Sequence, residues 1–539
     1  MKKQIVNIIN FIRGTEPRFP VELLSTMKNQ MAELKRLGLP ATFLFQYDAL
    51  SDANFMEAAK EYAELFEFGV WLELTRGCVE RAGQKWRGRN QEWDWQVDIC
   101  YIFGYPRDAR EKLTDAAMDK FKEVFGYYPK SAGAWALDAV TLAHLEKKYH
   151  ISAACVCRDQ WGTDHSTFWG GYYGQGYYPS KNNAFVPAQT ASAQIGIPVF
   201  RMLGSDPIYQ YDAGLNLTDG PAKMQPVITL EPVYIGNDQP WGVKEGGGGG
   251  GVPSWVDWYF KENFNGKCLS FGYAQAGQEN SFGWESLEGQ NGMKDGFLYQ
   301  MSKIKTLCGE GKIEAMTLRE AGEWYKGNYK LTPPSAITAE SDWKNEGRKS
   351  YWYCCKRYRA NLYFEGGMFW LRDFFLFDEK YPERYRDKAC SADGFIFDTL
   401  PVVDGNRFSG NGTRAGLYPC YLMGKEIKAA GTPVWKEIDG AAVVTVPAER
   451  FGNVTFTFSE ECLSVSVQKN DGDFILIARV PEVSLGALKF TADIKNCKTI
   501  GFTYNQYSYA LSLHSGTVSR DRRNKIIVRA ENGVIAAKI

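Results

Sequence analysis

The stretch from Tyr127 to Asp138 reads as a short buried strand that ends at a carboxylate and runs directly into an amphipathic helix. Leu137, Val140, Leu142 and Leu145 recur there close to helical spacing. Asp138 is therefore expected at the C-terminal end of a strand and the N-terminus of a helix. In α/β barrels that rim is where ligands bind and chemistry happens. Asp is also among the best N-capping residues, so a reacting carboxylate and a helix cap are both open for Asp138. A second acid, Glu279, follows the last expected barrel strand in the segment Gly277–Trp284. Cleavage of a glycosidic bond needs two such carboxylates, one protonated and one ionised. A separation of roughly 5 to 5.5 Å gives retention and roughly 6.5 to 9.5 Å gives inversion.

Other strand ends carry groups suited to sugar binding. Glu73 lies on the third strand beside Trp71, and it either holds a sugar hydroxyl or pairs with Arg76. Arg158, Asp159, Trp161 and Asp164 follow the fifth strand, where hydrogen bonding to hydroxyls and ring stacking are both available. An internal Arg158–Asp159 ion pair is the plainer alternative. Trp135 and Trp284 complete the candidate binding set, and Arg13 and Glu16 end the first strand. The chain holds only four histidines, His144, His150, His165 and His514, and only His165 falls near a strand end. An Asp-plus-two-His zinc set is not available, so no metal and no cofactor is expected.

Between these ends, residues 1–330 alternate strand and helix signals, the pattern of parallel βα units. Strands are expected at Ile5–Ile12, Ala41–Tyr47, Gly69–Leu74, before Trp135, at Ile151–Cys157, Pro198–Leu203 and Lys267–Tyr273. Helices are expected at Phe19–Leu37, Asn54–Phe66, Lys112–Phe125 and within Leu287–Cys308. A last helix is capped by Thr317 with Glu320 as its box partner. A long aromatic and glycine-rich insertion holds Trp161–Tyr178 and six consecutive glycines, Gly246–Gly251. No Gly-Lys-Ser/Thr follows the glycines, so they read as loop rather than phosphate cradle. Residues 335–539 shift to short β runs divided by Gly, Asn and Asp, which suits a β-sandwich.

The 539 residues carry 63 basic and 63 acidic groups, which argues against a nucleic-acid or anionic-membrane partner. Aromatics make up 14% of the chain, enough for a sugar site or for a large β core. No segment approaches the roughly 20 apolar residues of a membrane span. The apolar run after Lys2 and Lys3 is short and broken by Asn7 and Asn10, so it reads as a strand rather than a signal peptide. Twelve cysteines without such a signal lead to the expectation of a cytoplasmic protein with reduced thiols. The β-rich part could supply a homo-oligomer contact.

The order Pro129, Gly133, Trp135, Asp138 and then a helix resembles the third motif of glycoside hydrolase family 57, in which a Glu stands where this chain has Asp138. The segment around Glu279, with Phe282, Gly283 and Trp284, resembles that family's fourth motif without its His. NodB-type polysaccharide deacetylases and family 38 mannosidases are its wider relatives. The resemblance covers roughly the first 325 residues. It implies an incomplete (β/α)7 barrel and a retaining glycosidase, with Asp138 as nucleophile and Glu279 as acid/base. The alternatives are a NodB-type carbohydrate deacetylase with a degenerate metal site and a non-catalytic carbohydrate-binding protein. Deacetylase relatives carry metal-binding histidines near Glu73, and this chain has none there.

Overall fold

The computed structural model describes residues 2–233, 248–286, 292–421, 424–470, 474–479, 497–520 and 525–539. Seven strands form one curled parallel sheet: β1 (Gln4–Ile12), β2 (Thr42–Phe45), β3 (Glu67–Trp71), β4 (Ser131–Gly133), β5 (Ala153–Val156), β6 (Val199–Arg201) and β7 (Gly272–Ala276). Their spatial order is β7-β1-β2-β3-β4-β5-β6, with every neighbouring pair parallel. A further strand, β8 (Glu314–Met316), also lies parallel to β1. Such strands are covered on both faces, which is why all nine residues of β1 are buried.

The sheet stays open between β6 and β7, and side chains span the gap. Gln275 Oε1 accepts from Leu203 N at 2.7 Å. Gln175 Nε2 donates to the carbonyl of Phe271. The rings of Phe200 and Tyr273 meet at 5.0 Å. Helices α1 (Leu23–Leu37), α2 (Arg107–Phe125), α3 (Ala139–His144), α4 (Pro253–Asn263), α5 (Lys294–Gly309) and α6 (Leu318–Asn328) cover it. The capping box expected from Thr317 and Glu320 opens α6. The first helix begins at Leu23 rather than Phe19, because Pro20 has no N–H and disfavours helical geometry in the residue before it. Leu287, where the segment expected to contain a helix begins, lies outside the described residues, as do Gly246 and Gly247 of the glycine run.

The described part of that glycine run has a packing role. Gly250 N donates to Thr229 O at 2.7 Å, and a Cβ at Gly250 would stand 2.3 Å from Glu231 O. The missing side chain lets this loop press against the backbone that carries Glu231.

Beyond α6 the chain is β-rich. One antiparallel sheet includes Ser335–Ala339, Lys349–Cys354, Tyr358–Glu365 and Met368–Leu376, and a second includes Ala441–Ala448, Gly452–Phe458 and Cys462–Val467. Rings from the two sheets meet, as in Tyr353 with Phe458 and Phe369 with Phe456. The chain is thus a mixed α/β half followed by a β-rich half.

The halves are not separate in space. Within the insertion, Gln160–Thr163 and Ser166–Trp169 form a hairpin, and Phe395–Asp398 pairs parallel with its second strand. Beneath it runs a buried ion network. Asp159, just past β5, meets Arg201 at 2.7 Å and also Arg359, and Arg359 reaches Asp373 at 2.6 Å. Burial pushes the Asp373 carboxyl up to about 6, with Arg359 pulling the other way. Replacing Arg359 with Met would leave Asp373 buried and uncompensated. We expect a loss of about 3–5 kcal/mol in urea unfolding, and a change under about 1 kcal/mol would show that this network contributes little.

Candidate functional site

The residues that follow the parallel strands converge on a cleft of about 120 Å³, far larger than a single buried water requires. Arg13 comes directly after β1, Glu73 and Trp135 just beyond β3 and β4, Arg158 beyond β5, Leu203 beyond β6 and Glu279 beyond β7. This is the C-terminal rim on which barrel chemistry is built. Acids Glu231 and Asp164, the arginine Arg18 and the rings of Trp93, Trp95 and Tyr101 complete the walls.

Arg13 lies at the centre of the charges. Its Nη2 stands 2.9 Å from Glu73 Oε2 and 3.0 Å from Glu279 Oε2, and its Nη1 is 3.5 Å from Glu16 Oε2. Two oxygens that touch one nitrogen cannot be more than about 6 Å apart, so Glu73 and Glu279 approach the spacing of a paired-carboxylate site. The Arg13 backbone is fixed against the Glu279 loop by a reciprocal pair: Arg13 N donates to Asn280 Oδ1 and Asn280 Nδ2 donates to Arg13 O, both at 2.9 Å. Its guanidinium lies 4.1 Å from the centre of the Trp93 ring. Burial opposes the Arg13 charge, but Glu279, Glu73 and Glu16 outweigh it and hold the group charged well above its ordinary range.

Glu73 is set by Trp71, whose Nε1 donates to its Oε2 at 3.0 Å. Burial raises the Glu73 carboxyl, Arg13 pulls it down and Glu279 adds a further rise, with the net shift upward. Glu231 is raised as well, by burial first. Several buried polar atoms in this cleft have no hydrogen-bond partner in the protein: Glu279 Oε2, Arg13 Nε and Nη1, Trp93 Nε1 and Arg158 Nε. Glu279 Oε2 is near Arg13 Nη2 but makes no aligned hydrogen bond, so the contact is electrostatic. The site therefore presents an ion-paired carboxylate oxygen that accepts no hydrogen bond beside several N–H donors that make none. Buried polar atoms are seldom left so.

Asp138 is placed differently. It does not line the cleft and is wholly buried at the N-terminus of α3. Its Oδ1 accepts from Val140 N at 3.0 Å, Thr141 N at 3.1 Å and Arg110 Nη1 at 3.3 Å, and its Oδ2 accepts from Thr141 Oγ1 at 2.7 Å. Both oxygens are occupied by the capping role that its position also suggested. Glu383, from the β-rich half, joins it and accepts from Ala139 N and Ala184 N.

Of the other residues singled out by sequence, Glu73, Trp135, Arg158, Asp164 and Glu279 line the cleft. Asp164 and His165 form the tight turn of the hairpin, both with positive φ, and both are exposed. Asp159 faces a smaller cavity behind and is held by Arg201 and Arg359. The Arg158–Asp159 ion pair does not form, because Arg158 donates to the Asp159 carbonyl instead. Trp161 packs on Trp169 and Trp284 on Phe297, and neither lines the cleft. Glu73 is bonded within the cleft and not to Arg76, which pairs with Glu80. Arg18, Trp93, Trp95, Tyr101 and Glu231 were not foreseen, since all lie in segments without strand or helix periodicity.

The donors do not fit a zinc ion. No imidazole lines the cleft, Cys100 is held as a thiol by burial and by Glu73, and the acids converge on Arg13. Among the described residues no group of three or more His, Cys, Asp or Glu is arranged to hold a metal.

No family model matches the chain, and no curated protein matches it. The resemblance to family 57 thus gains no support. Among solved structures, a protein of Parabacteroides distasonis provisionally described as a glycoside hydrolase/deacetylase is similar with a TM-score of 0.52 at 16% identity. The match covers 74% of this chain and 90% of that one. A Mycobacterium smegmatis protein provisionally described as a polysaccharide deacetylase follows at a TM-score of 0.35 and 12% identity, covering 62% and 93%. The first likeness is one of fold, and the second is too weak to argue from. Among the described residues no helix is long and apolar enough to cross a membrane.

Two predictions follow from the acid pair at α3. Asp138→Ala removes a cap and leaves Arg110 buried without its anion, so unfolding should cost about 3–5 kcal/mol less than in the wild type. Asp138→Asn, which keeps a capping oxygen, should lose less. Glu383 is raised from 4.5 to about 8, by burial first and Asp138 next. The folded protein then keeps a proton that the unfolded chain has released, so stability falls as pH rises between about 4.5 and about 8. Urea midpoints measured across that range should fall less steeply in Glu383→Gln, and parallel profiles would contradict this account.

Proposed function

We propose that the protein is a carbohydrate-active hydrolase whose chemistry rests on Glu73 and Glu279, with Arg13 as a fixed cation between them. The observation that carries this is the approach of both carboxylates to one guanidinium nitrogen, in an aromatic-walled cleft at the strand ends. Trp and Tyr faces suit the apolar faces of sugar rings. The fold shared with a protein described as a glycoside hydrolase/deacetylase supports the same class.

Removal of an acyl group uses most of the free atoms. Glu279 Oε2, without a hydrogen bond of its own, accepts a proton from water as the water oxygen attacks the acyl carbon. The oxyanion that forms is received by the free N–H groups of Arg13 and Trp93. Glu73, whose carboxyl burial raises, is placed to pass a proton to the leaving amine or hydroxyl. No step needs a metal, in keeping with donors that do not fit one.

The second reading is cleavage of a glycosidic bond by the same two acids, favoured by their spacing. In it Glu73, raised by burial, is the acid and Glu279 the nucleophile or base. Asp138 acts in neither reading and serves as a cap.

Incubation with acetylated and de-acetylated oligosaccharides separates the readings by product. Released acetate supports deacylation, and new reducing ends support glycosidic cleavage. In either case Glu73→Gln and Glu279→Gln should each lower kcat by about 10²- to 10⁴-fold, while folded Asp138→Asn should keep kcat within a few-fold. Full turnover by both glutamine variants would overturn the assignment. An inactive but normally stable Asp138→Asn would return Asp138 to the reaction.

A further inference from the structure

Six arginines are buried among the described residues: Arg13, Arg110, Arg158, Arg201, Arg359 and Arg372. Five have a carboxylate within 4 Å, namely Arg13 with Glu73, Arg110 with Asp138, Arg201 with Asp159, Arg359 with Asp373 and Arg372 with Asp212. Arg158 is the exception. It is 4% exposed and lines the cleft, yet no described acid lies within ion-pair distance of it. Its guanidinium makes one hydrogen bond, from Nη1 to the carbonyl of Asp159 at 2.6 Å, and its buried Nε has no partner.

The acids around it make no ion pair with it: Glu231 feels the Arg158 charge at a distance, and Asp164 lines the same cleft from the exposed hairpin turn. The Asp159 carboxylate is shared by Arg201 and Arg359. Glu231 receives Gln278 Nε2 at 3.0 Å and Thr229 Oγ1 at 3.1 Å. A buried charge without a direct ion pair is costly, so proteins pair it or use it on a ligand. The free edge of a guanidinium, Nε with the second amino nitrogen, matches the two oxygens of a planar carboxylate or of a sulfate ester.

We infer that Arg158 is a specificity-determining residue that receives an anionic substituent of the saccharide, a carboxylate or a sulfate, so that the cleft takes acidic sugars in preference to neutral ones. This deepens the proposed function and rests on its reading of the cleft as a saccharide site. Arg158 touches the substituent and takes no part in bond cleavage. The cleavage machinery, Glu73, Glu279 and Arg13, lies on other strands of the same cleft.

Calorimetric binding to the full chain tests this without any need for turnover. The probes are trisaccharides of galacturonic and glucuronic acid, their neutral galactose and glucose counterparts, and the 6-sulfated forms of the latter. Acidic probes should bind at least tenfold more tightly than neutral ones. The advantage of acidic over neutral probes should vanish in Arg158→Gln and be partly kept in Arg158→Lys. Preference for uronates alone assigns a carboxylate, and preference for sulfated probes assigns a sulfate. Equal binding of acidic and neutral probes, or an acid preference that survives Arg158→Gln, overturns the inference and leaves the hydrolase reading standing. No binding of any probe overturns both. Should Arg158→Gln fail to fold, the salt dependence of wild-type binding decides: acidic probes weaken with added NaCl and neutral ones do not, and identical profiles overturn the inference.

Discussion

Everything around the cleft depends on one buried cation. Arg13 leaves β1 into a space enclosed by Glu16, Glu73 and Glu279, where water cannot solvate it. A guanidinium there is tolerable only because three carboxylates surround it, and those carboxylates are tolerable only because of the guanidinium. The geometry is therefore mutual. β1, β3 and β7 must present their ends at one depth, and the reciprocal amide pair between Arg13 and Asn280 sets that depth for the neighbours β1 and β7. At the centre of the cleft stands a side chain that cannot be deprotonated. Its charge is constant with pH, so the variable protons belong to the acids.

A second set of buried charges ties the two halves together. Asp138 caps α3 and holds Arg110, and Arg110 in turn donates to the carbonyl of Tyr385. Asp159 is held by one arginine from the parallel sheet and one from the antiparallel sheet. Asp159 lies just past β5 and Asp138 at the N-terminus of α3, and each has its oxygens satisfied. What separates these acids from Glu279 is not position along the chain but the number of donors that reach them. Glu279 keeps an oxygen without a hydrogen bond, while Asp138 has none.

The fold was readable to a large extent. The alternation of apolar runs and helical spacing placed β1 through β6 within a few residues, because strands buried on both faces leave continuous apolar runs, whereas β7, expected at Lys267–Tyr273, forms at Gly272–Ala276 and shares only Gly272 and Tyr273 with that run. Thr317 and Glu320 marked the start of α6, since capping is a local interaction. Strand ends were less visible. β3 stops at Trp71 although Leu72 and Leu74 continue its apolar pattern, because Glu73 turns to bridge with Tyr101. The aromatic insertion gave no period, so the hairpin at Gln160–Trp169 and its pairing with Phe395–Asp398 were out of reach.

By itself the sequence determined that parallel strands would end at carboxylates, arginines and tryptophans, because residue order along each βα unit is local and the rim follows from it. It singled out Glu73, Glu279, Arg158, Trp135 and Asp164, which the structure brings to one cleft. Only the tertiary structure decided which acids remain free. Whether Asp138 meets a substrate or Arg110 depends on a helix 28 residues earlier in the chain. Whether Arg158 finds a partner depends on residues some 200 positions later, since Arg359 has already taken Asp159. Satisfaction of a buried charge is a property of all its neighbours at once, and no spacing along a chain encodes that.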